Sequence, residues 1–481
     1  MMEVKLSNGK VIPMEMHKIK IVQQTFLPAI EERIEAIQSA GFNTFLLKSH
    51  NLFLDMLTDS GTNAMSDNQQ SAMLLSDDAY AGSESFYKLE EAVQDIFGLK
   101  YVIPAHQGRA CEHLIAKVFV KPGTYVITNY HFTTTKAHIR LCGGEVIELI
   151  GDEGRITNSL CPFKGNMDVL ELRKTIEKLG KERINSIRME ATTNLIGGQP
   201  FSMQNLKEVR KIANEYGIMM VMDCSLISEN AYFIKTREPG FEDKTIKEII
   251  REMIEQVDMV YMSARKSAMA RGGLIATNHQ RIFNEILPNV PVYEGFITYG
   301  GMSTKEIESI AVGMYEMVDL NIAGSGAEFI RFFANRLIEY GVPVVTPPGG
   351  LGCHIDASKF LPNIPWNEYP AGALAAAVYI ISGCRGMERG SLSMDREADG
   401  EEEQSDMELL RLAVPRRTFT MSQLEFLADR ISWLYNHRDL IQGLKWVEEP
   451  PVLRFFIGRL ESINRWEYDL LQAFQSDFGA Y

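Results

Sequence analysis

Two residues at the ends of short apolar runs set the chemistry this chain could do. Lys266 follows Met259 to Met262, at the end of Ser263-Ala264-Arg265-Lys266, and Gly272-Gly273 then turn the chain into Leu274 to Thr277. A lysine held just past a strand end, beside a hydroxyl and glycines, suits covalent work on a carbonyl. Its neutral amine attacks an aldehyde and holds it as a Schiff base. Asp223 closes a second apolar run, Ile218 to Met222. A carboxylate on so apolar a strand needs a partner: a protonated ring nitrogen, a cation of the protein, or a helix N-terminus that it caps. Lysine and carboxylate stand one helix and one strand apart, as adjacent βα units would place them. Enzymes of pyridoxal phosphate (PLP) are built on such a pair. Taken alone, the lysine stretch also fits a surface turn with two basic residues.

Other residues fall where a PLP site needs them. His106-Gln107-Gly108-Arg109 follows the strand-like Tyr101 to Pro104 and opens a helix. Helix N-terminal amides bind phosphate, Gly108 lets the backbone approach closely, and Arg109 adds a planar donor fork; a capped helix start is the plain alternative. Phe132 follows Thr124 to Thr128 and would lie flat on a pyridine ring or pack in the core. Asn194 follows Ile184 to Glu190 and is either a contact to the cofactor's phenolic oxygen or a turn residue. Arg411, on the apolar Leu410 to Val414, must be paired, by a substrate carboxylate or by an internal acid.

These residues require a scaffold of alternating strands and helices, which residues 66 to about 280 supply. Strands Tyr101 to Pro104, Thr124 to Thr128, Glu145 to Ile150, Ile184 to Glu190, Ile218 to Met222 and Met259 to Met262 alternate with helices such as Val169 to Leu179, Leu206 to Tyr216 and Ile246 to Ile254. The pattern predicts an α/β fold with a mostly parallel central sheet, ligands binding beyond the carboxyl ends of its strands. Three regions are expected: an arm and part of a small domain over 1–65, a large domain over 66–318, and a small α/β domain over 319–481. The first holds a helix, Leu27 to Ala40, and an extended segment, Thr44 to Lys48. The last opens with helix Ile322 to Tyr340 and strand Val342 to Val345. The run Asp395 to Glu408, with eight acids against one arginine, reads as a solvated loop.

At 481 residues the chain exceeds one ordinary core. Its formal charge of −14 argues against nucleic acid and anionic membranes as partners. The six cysteines show neither metal-binding spacing nor disulfide density, which predicts a reducing, cytoplasmic setting. No apolar run reaches the ~18 residues of a membrane span.

With these pieces in order, the sequence resembles the β-eliminating lyases of aromatic amino acids, the family of tyrosine phenol-lyase and tryptophanase. The resemblance spans Gly41 to Phe456 and includes Leu57 to Asp67, Ala79 to Ser83, His106 to Arg109, Phe132 to Thr135, Gly197 to Pro200, Glu229 to Lys235 and Tyr299 to Gly301. It implies an aspartate-aminotransferase-like (fold type I) PLP enzyme that self-associates as a homodimer or homotetramer. It implies that Lys266 forms the Schiff base, that Gln107, Gly108, Arg109 and Ser263 hold the phosphate, that Phe132 stacks on the ring and that Asp223 pairs with the pyridinium. Asn194 would stand near the cofactor oxygen and the substrate carboxylate, which Arg411 grips. Tyr80 would protonate the departing ring, and Tyr299 would reach in from a neighbouring subunit. Arg389 and Thr133, near the phenol hydroxyl, and Phe455 match the tyrosine enzyme more than tryptophanase.

The chain also departs from that pattern. Leu226 stands where both enzymes carry an arginine facing the cofactor's phenolic oxygen. The loop Ser267 to Gly272 is one residue shorter than theirs and lacks an asparagine that helps bind a monovalent cation. Asp78 replaces a glutamate at the same site, near Gly61, so potassium dependence is in doubt. Phe296 replaces a pocket methionine. The activity implied is α,β-elimination of a tyrosine-like amino acid to pyruvate, ammonia and the released side chain. Leu226 leaves open a changed outcome on the same fold (β-substitution, reverse synthesis or transamination), and a non-catalytic homologue is a third possibility.

Overall fold

In the computed structural model, residues 3–396 and 400–481 are described; 397–399, inside the acidic run, lie outside them. The chain divides into two compact units. The first comprises Ser60–Ile156 and Cys161–Ala327, the second Glu3–Asp59, Thr157–Leu160 and Glu328–Tyr481. The divisions at 59/60 and 327/328 differ from the 65/66 and 318/319 read from sequence, and the later one falls inside helix Leu320–Glu339.

Seven strands build the first unit: β1 (Tyr101–Ala105), β2 (Tyr125–Thr128), β3 (Glu145–Glu148), β4 (Ile184–Glu190), β5 (Met219–Asp223), β6 (Met259–Ser263) and β7 (Gly273–Thr277). Their order is β1-β7-β6-β5-β4-β2-β3, and only β7 runs against its neighbours. Helices on both faces explain why β5 and β6 are apolar throughout rather than alternating. Helix α1 (Gly108–Phe119) follows β1 and α2 (Thr133–Leu141) follows β2. Helix α3 (Met203–Tyr216) starts where Ser202 accepts from the Asn205 amide and stops at Gly217, whose φ of 69° is open to glycine at no steric cost. Helix α4 (Ile227–Arg237) follows β5, and α5 (Ile246–Ile254), closed by a Thr245–Glu248 capping box, buries Ile246, Ile249, Ile250 and Met253 on one stripe before β6. The fold is therefore of the α/β class with a mostly parallel sheet. Register sets the site: Asp223 lies opposite Glu190 on one side and Tyr261 on the other.

The second unit centres on an antiparallel sheet of β8 (Gly352–Asp356), β9 (Met387–Arg389) and β10 (Leu409–Ala413), ordered β8-β10-β9. Helix α6 (Pro370–Ser382) is buried along its whole length, which suits a helix apolar on every face. Three sequence expectations fail here. Thr44–Leu46 is a 3₁₀ turn rather than extended, because the Asn43 side chain accepts from the Phe45 amide and donates to the Phe455 and Gly458 carbonyls. Val342 to Val345 is not a strand; it contributes a single bridge, Val344 to Ile355. The described part of the acidic run is solvated only in part: Gly400, Glu401, Gln404 and Asp406 are exposed, but the segment is also tied in. Glu402 pairs with the buried Arg454 at 2.6 Å, Asp406 pairs with Arg389 at 3.1 Å, and Ser405, Met407 and Glu408 are buried. Acids on one segment gain fixed positions when buried guanidinium groups face them.

Candidate functional site

The head of α1 is shaped for an anion. Its N-cap, Gln107, makes no side-chain capping bond. A side chain at Gly108 would come within 2.7 Å of the Ser263 Cβ, and one at Gly273 within 2.7 Å of the Gln107 backbone. Glycines thus let β1, β6 and β7 close around the helix start. Arg265 is partly buried, and its pKa is lowered first by that burial and then by Arg271 and Arg109. Cations that repel Arg265, one of them Arg109 in the first turn of α1 itself, together with helix N-terminal amides favour a phosphate.

Lys266 lies beside this cradle. Its Nζ is 5.1 Å from the centre of the Phe132 ring, and Phe132 is the N-cap of α2. The lysine loop is fixed by its backbone: the Ser267 amide donates to the Ser225 carbonyl at 3.1 Å, and the Ser263 amide to the Ser225 Oγ at 2.9 Å. Asn63 donates to the carbonyls of Arg265 and Lys266 at 3.1 and 3.3 Å. Thr192 and Met269 hold left-handed backbone, with φ of 55° and 52°. That conformation is strained for a β-branched threonine. The Asn230 side chain, 3.0 Å from the Thr192 amide, and the Leu226 carbonyl, 3.1 Å from its hydroxyl, hold it there.

Asp223 ends β5, buried. Its Oδ2 accepts from Arg188 Nη2 and from the Tyr261 hydroxyl, each at 2.9 Å, and its Oδ1 accepts from the Ser225 amide at 2.9 Å. An ionised carboxylate has about four acceptor positions, so one on Oδ1 remains for a ring N–H. The residues present therefore fit PLP: an amine over an aromatic face, a carboxylate with a position to spare, and a phosphate cradle.

Sequence reasoning missed the surroundings of Asp223. Arg188 and Glu190 share one face of β4 and are 3.9 Å apart, and Arg188 also bonds the Tyr261 hydroxyl. Burial pushes the Glu190 carboxyl up to about 7, against the pull of Arg188. Burial likewise raises Glu112, which accepts from Thr134 and Thr135 at 2.5 and 2.6 Å. For Arg188, burial opposes the charge, but Tyr261, Asp223, Glu190 and Glu112 together raise its pKa above the ordinary arginine value. A signal was present: opposite charges two residues apart on a strand of the central sheet must find partners when buried. Asn194 is buried in the turn after β4, its amide 3.0 Å from Glu190 Oε1. Leu226, the N-cap of α4, is buried.

Tyr80, Phe296 and Tyr299 form a separate aromatic cluster in the first unit. Ring centres lie 5.7 Å from Tyr80 to Phe296 and 5.3 Å from Tyr80 to Tyr299. Tyr80 is 72% exposed, and a hydrogen bond with Tyr299 raises its phenol pKa. At the candidate cation position, Gly61 lies against the Arg265 guanidinium, which a side chain there would meet at 2.4 Å. Asp78 accepts from Thr304 at 3.4 Å.

The second unit holds the remaining candidates except Thr133, which is in the first. Arg411 is buried on β10, donating from Nη2 to the Leu57 carbonyl at 2.8 Å; burial lowers its pKa to about 10, against Asp59. Arg389, on β9, donates to Ser405 and, at 3.1 Å, to the Met407 carbonyl and Asp406. Phe455 is buried edge-on to Phe45, ring centres 5.5 Å apart. Thr133 is the first residue of α2, beside Phe132.

Comparison with known proteins agrees with this geometry. The β-eliminating lyase family model matches residues 55–430. A tyrosine phenol-lyase of Symbiobacterium thermophilum is 45% identical over 452 residues, 94% of this chain and 99% of the relative. One of Lacrimispora saccharolytica is 45% identical over 453 residues, 94% and 97% of the two chains. Among solved structures, a Sphingomonas wittichii serine palmitoyltransferase aligns with TM-score 0.56 over 80% of this chain and 88% of its own, at 14% identity, a likeness of fold alone.

Proposed function

The chain belongs to the β-eliminating lyase family, and from that premise we propose that it is a PLP-dependent carbon–carbon lyase acting on tyrosine or a tyrosine-like amino acid. With one water consumed, the products are pyruvate, ammonia and the phenol. The observation that carries the reading is the pairing of Lys266, over the Phe132 ring, with Asp223, one acceptor position open, on adjoining strands. The names of the relatives favour elimination over the changed outcomes that Leu226 had left open.

PLP, when bound, supplies an aldehyde for the lysine and a protonated ring that draws electron density from the substrate Cα. Gln107, Gly108, Arg109 and Ser263 hold its phosphate, Asp223 keeps the ring-nitrogen proton in place, and Asn194 stands by the ring oxygen. Lys266 takes the Cα proton. Tyr80 gives a proton to the ring carbon as the side chain leaves, and its raised pKa keeps that proton available. Arg411 orients the substrate by its carboxylate; Arg389 and Thr133 read the phenol hydroxyl, with Phe455 and Phe296 lining the side chain.

A general acid that is 72% exposed needs cover from water. We therefore propose that a second copy of this chain closes over Tyr80 and Tyr299, in a homodimer or homotetramer. The Arg265 charge beside Gly61 supports activity without potassium. Cytoplasmic residence is proposed on the six free cysteines. No described helix is long and apolar enough to cross a membrane. The test is direct: purified protein with PLP and L-tyrosine should release phenol and pyruvate in equal amounts. Cofactor binding without pyruvate from tyrosine or its ring-substituted analogues would falsify the elimination reading.

A further inference from the structure

Asp223 is gripped from the strands on both sides of it. β4 brings Arg188, β6 brings Tyr261, and both donate to the same oxygen, Oδ2, at 2.9 Å. We propose that Arg188 and Tyr261 are positioning residues for Asp223, clamping Oδ2 so that Oδ1 is presented to the cofactor's ring nitrogen. This inference rests on the PLP reading above.

A carboxylate on a single strand end turns about its χ2 with little resistance. Two donors on one oxygen and the Ser225 amide on the other stop that rotation. The guanidinium of Arg188 lies 5.3 Å from the centre of the Tyr261 ring, so packing locks the two donors to each other as well. The same guanidinium is shared by three buried carboxyls, Asp223, Glu190 and Glu112. Other groups facing the cluster are the Lys266 amine, which acts on Glu190, and the thiols of Cys111 and Cys224, which burial keeps neutral. Removing the Arg188 cation favours the protonated form of every neighbour, including the ring nitrogen. The pH at which the bound cofactor changes its absorption must then move upward.

The experiment compares R188Q, R188K and Y261F with the wild-type protein, measuring the PLP dissociation constant and the pH midpoint of the bound-cofactor absorption. R188Q should weaken PLP about tenfold and raise the midpoint, since hydrogen bonds to charged groups carry that much. R188K keeps the charge without the fork, so its midpoint should stay near wild type. Y261F loses one neutral donor and should weaken PLP about threefold. If R188Q and Y261F fold and both keep the wild-type constant and midpoint, the inference is overturned. If R188Q does not fold, Y261F decides by the same two readings. A wild-type protein that takes up no PLP would sink the functional reading and this inference together; normal uptake with indifferent variants sinks this one alone.

Discussion

The floor and the rim of the first unit are built on opposite principles. The floor is buried at Asp223 and half-buried at Lys266, and Asp223 is held by hydrogen bonds of 2.9 Å from the two neighbouring strands and from the turn after β5. The rim, around Tyr80, Phe296 and Tyr299, is held by aromatic contacts at an exposed edge. The comparison teaches where one chain suffices. Cofactor capture needs only the floor, whose partners the sheet supplies. On the roles proposed, proton delivery to the leaving group needs a dry rim, and Tyr80 in a single copy is 72% exposed.

The difference can be broken or sharpened by experiment. The largest effect belongs to K266A: activity falls by at least ~10⁴-fold and the visible band of the lysine-bound cofactor disappears. An unchanged spectrum would remove Lys266 from the floor. D223N should lose ~10²–10⁴-fold in kcat and bind PLP more weakly, because the pyridinium loses its anion. Y80F should lose a similar or smaller factor, ~10²-fold, with PLP affinity unchanged. A rim variant that weakens PLP contradicts the separation of roles. Dilution below the dissociation constant of the assembly should lower activity while the cofactor band persists; loss of both together would place cofactor capture at the interface too.

The smallest effect is on stability. Burial holds the Glu190 pKa near 7 in the folded protein, against an ordinary 4.5. The folded state therefore keeps a proton that the unfolded chain releases. The associated stability is fully present below about 4.5 and is lost as pH rises through about 7. E190Q should flatten this decline in the Tm of the cofactor-free protein between those values. An identical slope in variant and wild type would show that Glu190 is already ionised.

Legibility in the sequence followed the range of the interactions. Strands β5 and β6 were readable because burial on both faces makes each an apolar run up to its last residue; β4 mixes Asn185, Ser186, Arg188 and Glu190 with its apolar residues and was placed by the alternation with helices. The order of Asp223 and Lys266 along the chain implied adjacent βα units, and the sheet places them so. Thr44 to Leu46 was misread because its 3₁₀ turn depends on Asn43 reaching Phe455 and Gly458, far along the chain. The acidic run was misread in part for the same reason, since Arg389 and Arg454, which tie it in, stand on elements that charge counting within the run does not see.

Residue types and their order, with the family resemblance they carry, pointed to the chemistry: an amine and a carboxylate after successive strands, a glycine-eased helix start, and an aromatic placed to stack. Only the tertiary structure decided which groups surround that chemistry. Whether Arg188 meets Asp223 depends on β4 lying beside β5 in register. Whether Tyr80 is wet depends on where the chain's surface falls. Both are set by strand order and burial, long-range properties that no local pattern of residues carries.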